Sequence, residues 1–186
     1  MPRAWKLIAV VLSLTGCVGG AVSQRYVLSE PVALSAAGMT FLQVEPASLP
    51  AYLDNASILV RRGSYALVSS RTGHWGERLS LGITHALGAD LARKLPAYRV
   101  GFERAAAPGG IRLQLDVDSF DLYPDGHCVL AAGWAVVQKS GAAPSAVGQG
   151  VFEIPASKVV KVDDEVLVAA MAGAIGQLAD AIAATL

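Results

Sequence analysis

From Ile111 to Asp118 the chain alternates without a break. Ile111, Leu113, Leu115 and Val117 fall on one face, and Arg112, Gln114, Asp116 and Asp118 on the other. A strand with one packed and one wet face belongs to an antiparallel part of a sheet. Against this period of two stand two stretches with a helical period. In Trp75 to Leu95, Leu79, Ile83, Leu87, Leu91 and Leu95 recur every four residues and Ala86 fills the same face. Glu77, Arg78, Asp90, Arg93 and Lys94 lie off that stripe, so the stretch predicts an amphipathic helix of about five turns, stopped by Pro96. Val162 to Leu186 predicts a second helix, with Leu167, Met171, Ile175, Leu178 and Ile182 as its stripe. Asp163, Asp164 and Glu165 crowd its start, where the helix dipole favours negative charge. Two helices laid on one face of a mixed, mostly antiparallel sheet make a two-layer α+β domain.

The rest of the chain supplies the sheet. Tyr26-Val27-Leu28 predicts a short first strand and Thr40 to Glu45 a second. Leu49 to Asp54 predicts a turn or one helical turn. Ile58 to Arg61 and Tyr65 to Ser69 flank Arg62-Gly63-Ser64, a tight hairpin with Gly63 at its tip. Val100 to Glu103 predicts a strand, followed by a loop over Ala105 to Gly110. Tyr123-Pro124-Asp125-Gly126 is a turn, His127 to Lys139 returns as a longer strand, Gly141 to Ser145 turns again, and Ala146 to Ile154 completes a three-strand meander.

Ahead of this domain stands a different kind of segment. Arg3 and Lys6 form a basic head, Leu7 to Leu14 is apolar apart from Ser13, and Leu14-Thr15-Gly16-Cys17 follows. A basic head, a short apolar run and small residues at a cleavage point describe a secretory signal. The run is too short for a spanning helix, which needs roughly 20 apolar residues. Its last four residues fit the bacterial lipobox, in which cleavage leaves a diacylglyceryl and an N-acyl chain on the cysteine. The expected organisation is therefore a cleaved signal at 1–16, lipidated Cys17 with a short tether at 17–24, and a single domain at 25–186. Several acyl chains on one residue make release into water negligible, whereas one chain holds a protein only marginally. Val18, in place of an aspartate, favours the outer membrane on its periplasmic face. The tether reaches at most about 25 Å, so the domain stays beside its own membrane.

Charge and cysteine count narrow the function. Lys+Arg and Asp+Glu are 15 each in the 186 residues, and loss of Arg3 and Lys6 leaves the mature chain slightly acidic. No basic excess is available to neutralise phosphates, which argues against nucleic acid. Hydrophobic residues make up 53% and charged residues 16%, which hints at a surface partly covered by lipid or another subunit. With Cys17 consumed by lipid, Cys128 has no partner for a disulfide and reads as a small buried hydrophobe on a strand.

Catalytic and metal-binding patterns do not stand out. His74, His85 and His127 have no two-histidine metal spacing, and His127-Cys128 lacks two further ligands for zinc. Ser64 is not in a strand-to-helix elbow. Asp116 and Asp118 read as the wet face of a strand rather than an acid pair. The chain reads as a non-enzyme with no metal and no cofactor beyond the lipid on Cys17.

An ordered set of segments carries a resemblance. Leu49-Pro50-Ala51-Tyr52-Leu53-Asp54, then Ile58-Leu59-Val60-Arg61, then Trp75 and the helix ending Leu87-Gly88-Ala89-Asp90-Leu91-Ala92 follow in order. With the lipobox, Tyr26-Val27-Leu28 and the closing Leu178-Ala179-Asp180-Ala181-Ile182-Ala183, the chain resembles the auxiliary lipoproteins of ABC-type transport systems, the PqiC (YmbA) group. Where that family usually has proline or arginine-proline after the Tyr-Leu-Asp step, this chain has Asn55-Ala56. The resemblance implies a lipid-anchored outer-membrane accessory of an intermembrane transport system for lipids or other hydrophobic molecules. Its implied partner is a periplasmic MCE-domain protein, and self-association into a homo-oligomer is also consistent with it. Tyr52, Leu53, Arg61, Tyr65 and Trp75 are the candidate partner-binding residues, since aromatic and arginine side chains dominate interface energetics. The same placement allows Trp75 and Tyr52 to cap the core instead. The competing reading is an envelope lipoprotein that regulates or assembles another machine, such as cell-wall synthesis or lipopolysaccharide export.

Overall fold

The computed structural model describes residues 23–29, 40–102, 110–138, 144–159 and 161–186. The expected signal peptide, Cys17 and most of the tether lie outside the described residues, as do Glu103, most of the Ala105–Gly110 loop, Lys139 and part of the Gly141–Ser145 turn. Eight strands and two helices follow in the order β1 (Gln24–Tyr26), β2 (Thr40–Val44), β3 (Ser57–Arg62), β4 (Ala66–Trp75), α1 (Leu79–Lys94), β5 (Tyr98–Gly101), β6 (Ile111–Leu122), β7 (Cys128–Gln138), β8 (Ala146–Ile154) and α2 (Asp164–Ala183).

The α+β class and the β6-β7-β8 meander agree with the sequence reading, but the strands divide into two sheets. A five-stranded sheet has the order β5-β2-β6-β7-β8, and a three-stranded sheet the order β1-β4-β3. The meander and the β3–β4 hairpin are antiparallel, whereas β2 pairs parallel with both β5 and β6, and β1 parallel with β4. The helices pack against each other, and α2 also packs on β7 and β8. The core between the layers holds Leu42, Leu113, Leu122, Leu130, Ile83, Leu87, Ile175 and Leu178, all fully buried. Both helical stripes face inward as predicted, except that Leu95 caps α1 and lies at the margin of the core.

Several boundaries differ from the sequence reading; β5 starts two residues earlier, at Tyr98 rather than Val100. β1 ends at Tyr26, and Leu28 turns into the core rather than continuing the strand. β4 runs on to Trp75, so Trp75 closes a strand instead of opening the helix. The Trp75 N–H donates to the Ala56 carbonyl and Gly76 N–H to Tyr26 O, which commits this backbone to the sheet. Ser70 to His74 carries no apolar alternation, which hides that part of β4 in the sequence. β6 continues past Asp118 because a bulge falls between Val117 and Ser119. One extra residue there resets the pleat, so that Phe120 and Leu122 point inward again after Val117.

Thr84, buried on α1, accepts from Ala47 N–H at 2.9 Å and donates to Ser80 O at 2.7 Å. Cys128 is free and buried, and burial, with a smaller contribution from Asp121, pushes its thiol up to about 12. It is the inert strand residue that the sequence suggested.

Candidate docking site

The β3–β4 hairpin carries Tyr65, the most exposed of the candidate residues. Its turn needs a left-handed residue, supplied by Gly63 at φ +73°. Arg61 ties the hairpin to the larger sheet. Its guanidinium donates to Asp121 of β6, with Nη2 at 2.6 Å and Nε at 2.7 Å from Oδ1, and Nη1 donates to Ser64 O. Ahead of the hairpin, the Leu49–Asp54 segment forms turns. Asn55 closes this connection with its side chain: Nδ2 donates to Tyr52 O at 2.6 Å, and Oδ1 accepts from Ser57 N–H at 2.7 Å.

The five candidate partner-binding residues do not form one surface. Tyr65 stands at the hairpin tip with its side chain 98% exposed, and Tyr52 is 44% exposed. Leu53 and Trp75 are each only 4% exposed and belong to the core. Arg61 is half-buried and already satisfied by Asp121. A partner meeting the folded chain can touch Tyr65 and Tyr52, whereas Leu53 and Trp75 support the surface from beneath.

Asp54 has a role that spacing alone could not reveal. The α1 N-terminus has Arg78 at its cap position with no side-chain cap bond of its own. Asp54 provides it from the preceding segment: Oδ1 accepts from Ser80 N–H at 3.0 Å, and Oδ2 pairs with Arg78 Nη2 at 2.7 Å. Burial would raise the Asp54 carboxyl, but the Ser80 hydrogen bonds and the Arg78 charge outweigh it and hold the carboxyl below its usual range.

Two further surfaces escaped the sequence reading. Val147 and Val151 on β8 are 71% and 68% exposed, on the outer face of the large sheet beside Ala131 and Ala135 of β7. The period of two in Ala146 to Ile154 could have separated this face from Phe152 and Ile154, which pack toward the core. The second is an open cavity of about 220 Å³ between the hairpin and the start of α2, lined among others by Arg62, Arg71, Val68 and Leu167. Nothing in sequence spacing brings residue 62 next to residue 167.

Among the described residues, no group of three His, Cys, Asp or Glu side chains is arranged to hold a metal. His127 Nε2 meets Glu153 Oε1 at 2.7 Å and stacks on Tyr123, and His85 Nδ1 meets Glu77, so these two histidines are held in local contacts. Asp116 and Asp118 lie on the exposed face of β6.

Comparison with known proteins adds to this geometry. A family model described as ABC-type transport auxiliary lipoprotein component matches residues 26–183. An uncharacterised protein of known crystal structure superposes with a TM-score of 0.70 at 20% identity, covering 88% of this chain and 97% of the other. A Xanthomonas campestris protein of the family DUF330 superposes with a TM-score of 0.61 at 15% identity, covering 88% and 91%. At these identities the two structures establish a shared fold. No curated protein matches the chain. The match over nearly all of the domain is decisive: the chain belongs to the ABC-type transport auxiliary lipoprotein family.

Proposed function

We propose that the protein is an outer-membrane lipoprotein, anchored through diacylglycerol and an N-acyl chain on Cys17. It faces the periplasm and serves an ABC-type intermembrane lipid transport system by docking a periplasmic MCE-domain protein. The observation that carries this reading is the family match across residues 26–183. The lipobox ending at Cys17 supports the anchor, and absence of aspartate at position 18 supports the outer membrane. The role is that of an adaptor without turnover of its own, with nucleotide hydrolysis assigned to another component. Self-association remains part of the proposal, with the exposed Val147–Val151 face of β8 as an apolar surface of the kind such contacts cover.

Tyr65 and Tyr52 are the proposed partner contacts, with Arg61 fixing the hairpin that presents Tyr65. The test is affinity purification of the full-length acylated protein from membranes. An MCE-domain protein and a permease should accompany it, and a Tyr65→Ala, Tyr52→Ala double variant should lose them while keeping the wild-type thermal midpoint. Co-purification instead with cell-wall synthesis or lipopolysaccharide-export proteins would overturn the assignment.

A further inference from the structure

The cavity between the hairpin and α2 combines two features. Arg62 and Arg71 line it, and among the described residues neither forms an ion pair with a carboxylate. The same walls carry Val60, Val68, Val162 and Leu167. Ser69, Ser70 and Pro124 complete the lining, and Val68, Arg62 and Arg71 are exposed to solvent there. Guanidinium pairs recognise the oxygens of phosphates, and apolar walls beside them suit an anion with a hydrocarbon stem.

The acidic side of the cavity selects among anions. Asp164 also lines it and accepts from Thr72 Oγ1 at 2.7 Å, and Asp163 and Glu165 flank it in sequence at the start of α2. These carboxylates repel a small dianion more than a diester with one charge, and they favour an ammonium on the same ligand. A free inorganic phosphate is therefore disfavoured relative to a phosphodiester whose headgroup also carries an amine.

We propose that this cavity binds the phosphodiester headgroup of a phospholipid, with Arg62 and Arg71 on the phosphate, Asp164 toward the headgroup amine, and Val60, Val68, Val162 and Leu167 against the glycerol and first methylenes. The proposal deepens the lipid-transport reading and rests on it only for its biological meaning, because the binding itself is read without any partner.

The experiment is calorimetric titration of the full-length acylated protein, in a neutral detergent, with dihexanoylphosphatidylethanolamine. Saturable binding is expected. An Arg62→Gln, Arg71→Gln double variant should weaken it by about tenfold or more, the loss of at least one charged hydrogen bond, with an unchanged thermal midpoint. The Arg62→Lys, Arg71→Lys variant should recover part of the affinity. Equal binding by wild type and the Gln variant, or equal binding of dihexanoylglycerol, which has no phosphate, would overturn the site. Binding of inorganic phosphate as tight as the lipid would overturn its assignment to a lipid headgroup. None of these outcomes depends on whether an MCE-domain protein co-purifies, so failure of the site and failure of the proposed function are separately visible.

Discussion

Asp54 shows how one side chain can join two segments that the sequence treats separately. As the last residue of Leu49–Asp54 it reads as part of a turn, and its acceptors are spent 26 residues later on the first turn of α1. Replacing an N-cap acceptor by alanine costs about 1 kcal/mol. Asp54→Ala should therefore lower stability by about that amount in urea unfolding, and Asp54→Asn, which keeps an acceptor oxygen, should lose less. The pH dependence follows from the carboxyl's direction of shift. Because its folded pKa lies below the unfolded value, its stabilisation is fully present above the unfolded pKa and fades as pH falls through the folded one. Wild type should lose stability more steeply than Asp54→Asn as the pH drops below about 4. Parallel acid profiles for the two proteins would show that the Arg78 and Ser80 contacts contribute nothing. The same logic decides between the two placements that the sequence left open for Trp75. A tryptophan just before a helical stripe can anchor a partner or cap the core, and pairing with Tyr26 puts this one at the end of a strand inside the core.

Elements with strong periodicity were legible, and elements defined by pairing were not. The α1 and α2 stripes and the alternation of Ile111–Val117 identify which face is buried before any coordinates are known, because burial enforces the pattern. Whether β2 lies parallel between β5 and β6, or which strands leave to form a second sheet, depends on long-range contacts that no local window contains. The bulge in β6 is the sharpest case. A strict period of two carried past Val117 would put Ser119 and Asp121 in the core and Phe120 at the surface. The extra residue reverses this, so Phe120 is buried while Asp118 is exposed and Asp121 is free to pair with Arg61. Truncating a buried aromatic costs about 3–5 kcal/mol, whereas an exposed substitution changes stability by about 0.5 kcal/mol or less. Phe120→Ala should thus shift the urea midpoint strongly and Asp118→Ala barely. A Phe120→Ala effect as small as that of Asp118→Ala would mean that the strand keeps its pleat through the bulge.

At the scale of the whole molecule the question is which part holds it to a membrane. By length and composition α2 is apolar enough to cross one, with a mean hydropathy of 1.8 in its most apolar 18-residue stretch. Its stripe of Leu167, Met171, Ile175, Leu178 and Ile182 is nevertheless buried against α1 and the sheet. Lys94 of α1 adds a salt bridge to Asp180 across the two helices. Moving α2 into a bilayer would expose the apolar floor of the sheet, at about 25 cal/mol for each Å² uncovered, and would strand Asp180 without its partner. The domain therefore has a strong reason to keep α2 inside, which is consistent with the proposal that attachment is left to a lipid on Cys17. A headgroup bound between the hairpin and α2 engages only one lipid at its polar end and cannot replace several acyl chains, each methylene of which is worth about 0.8 kcal/mol. On this account a Cys17→Ser protein exported through the same signal should appear in the soluble periplasmic fraction, with the circular dichroism and thermal midpoint of the acylated form. The wild type should sediment with outer-membrane vesicles. A Cys17→Ser variant that stayed with the membrane through a salt wash would transfer the anchoring role to α2 or to the hairpin face, and would remove the basis for placing the chain at the outer membrane.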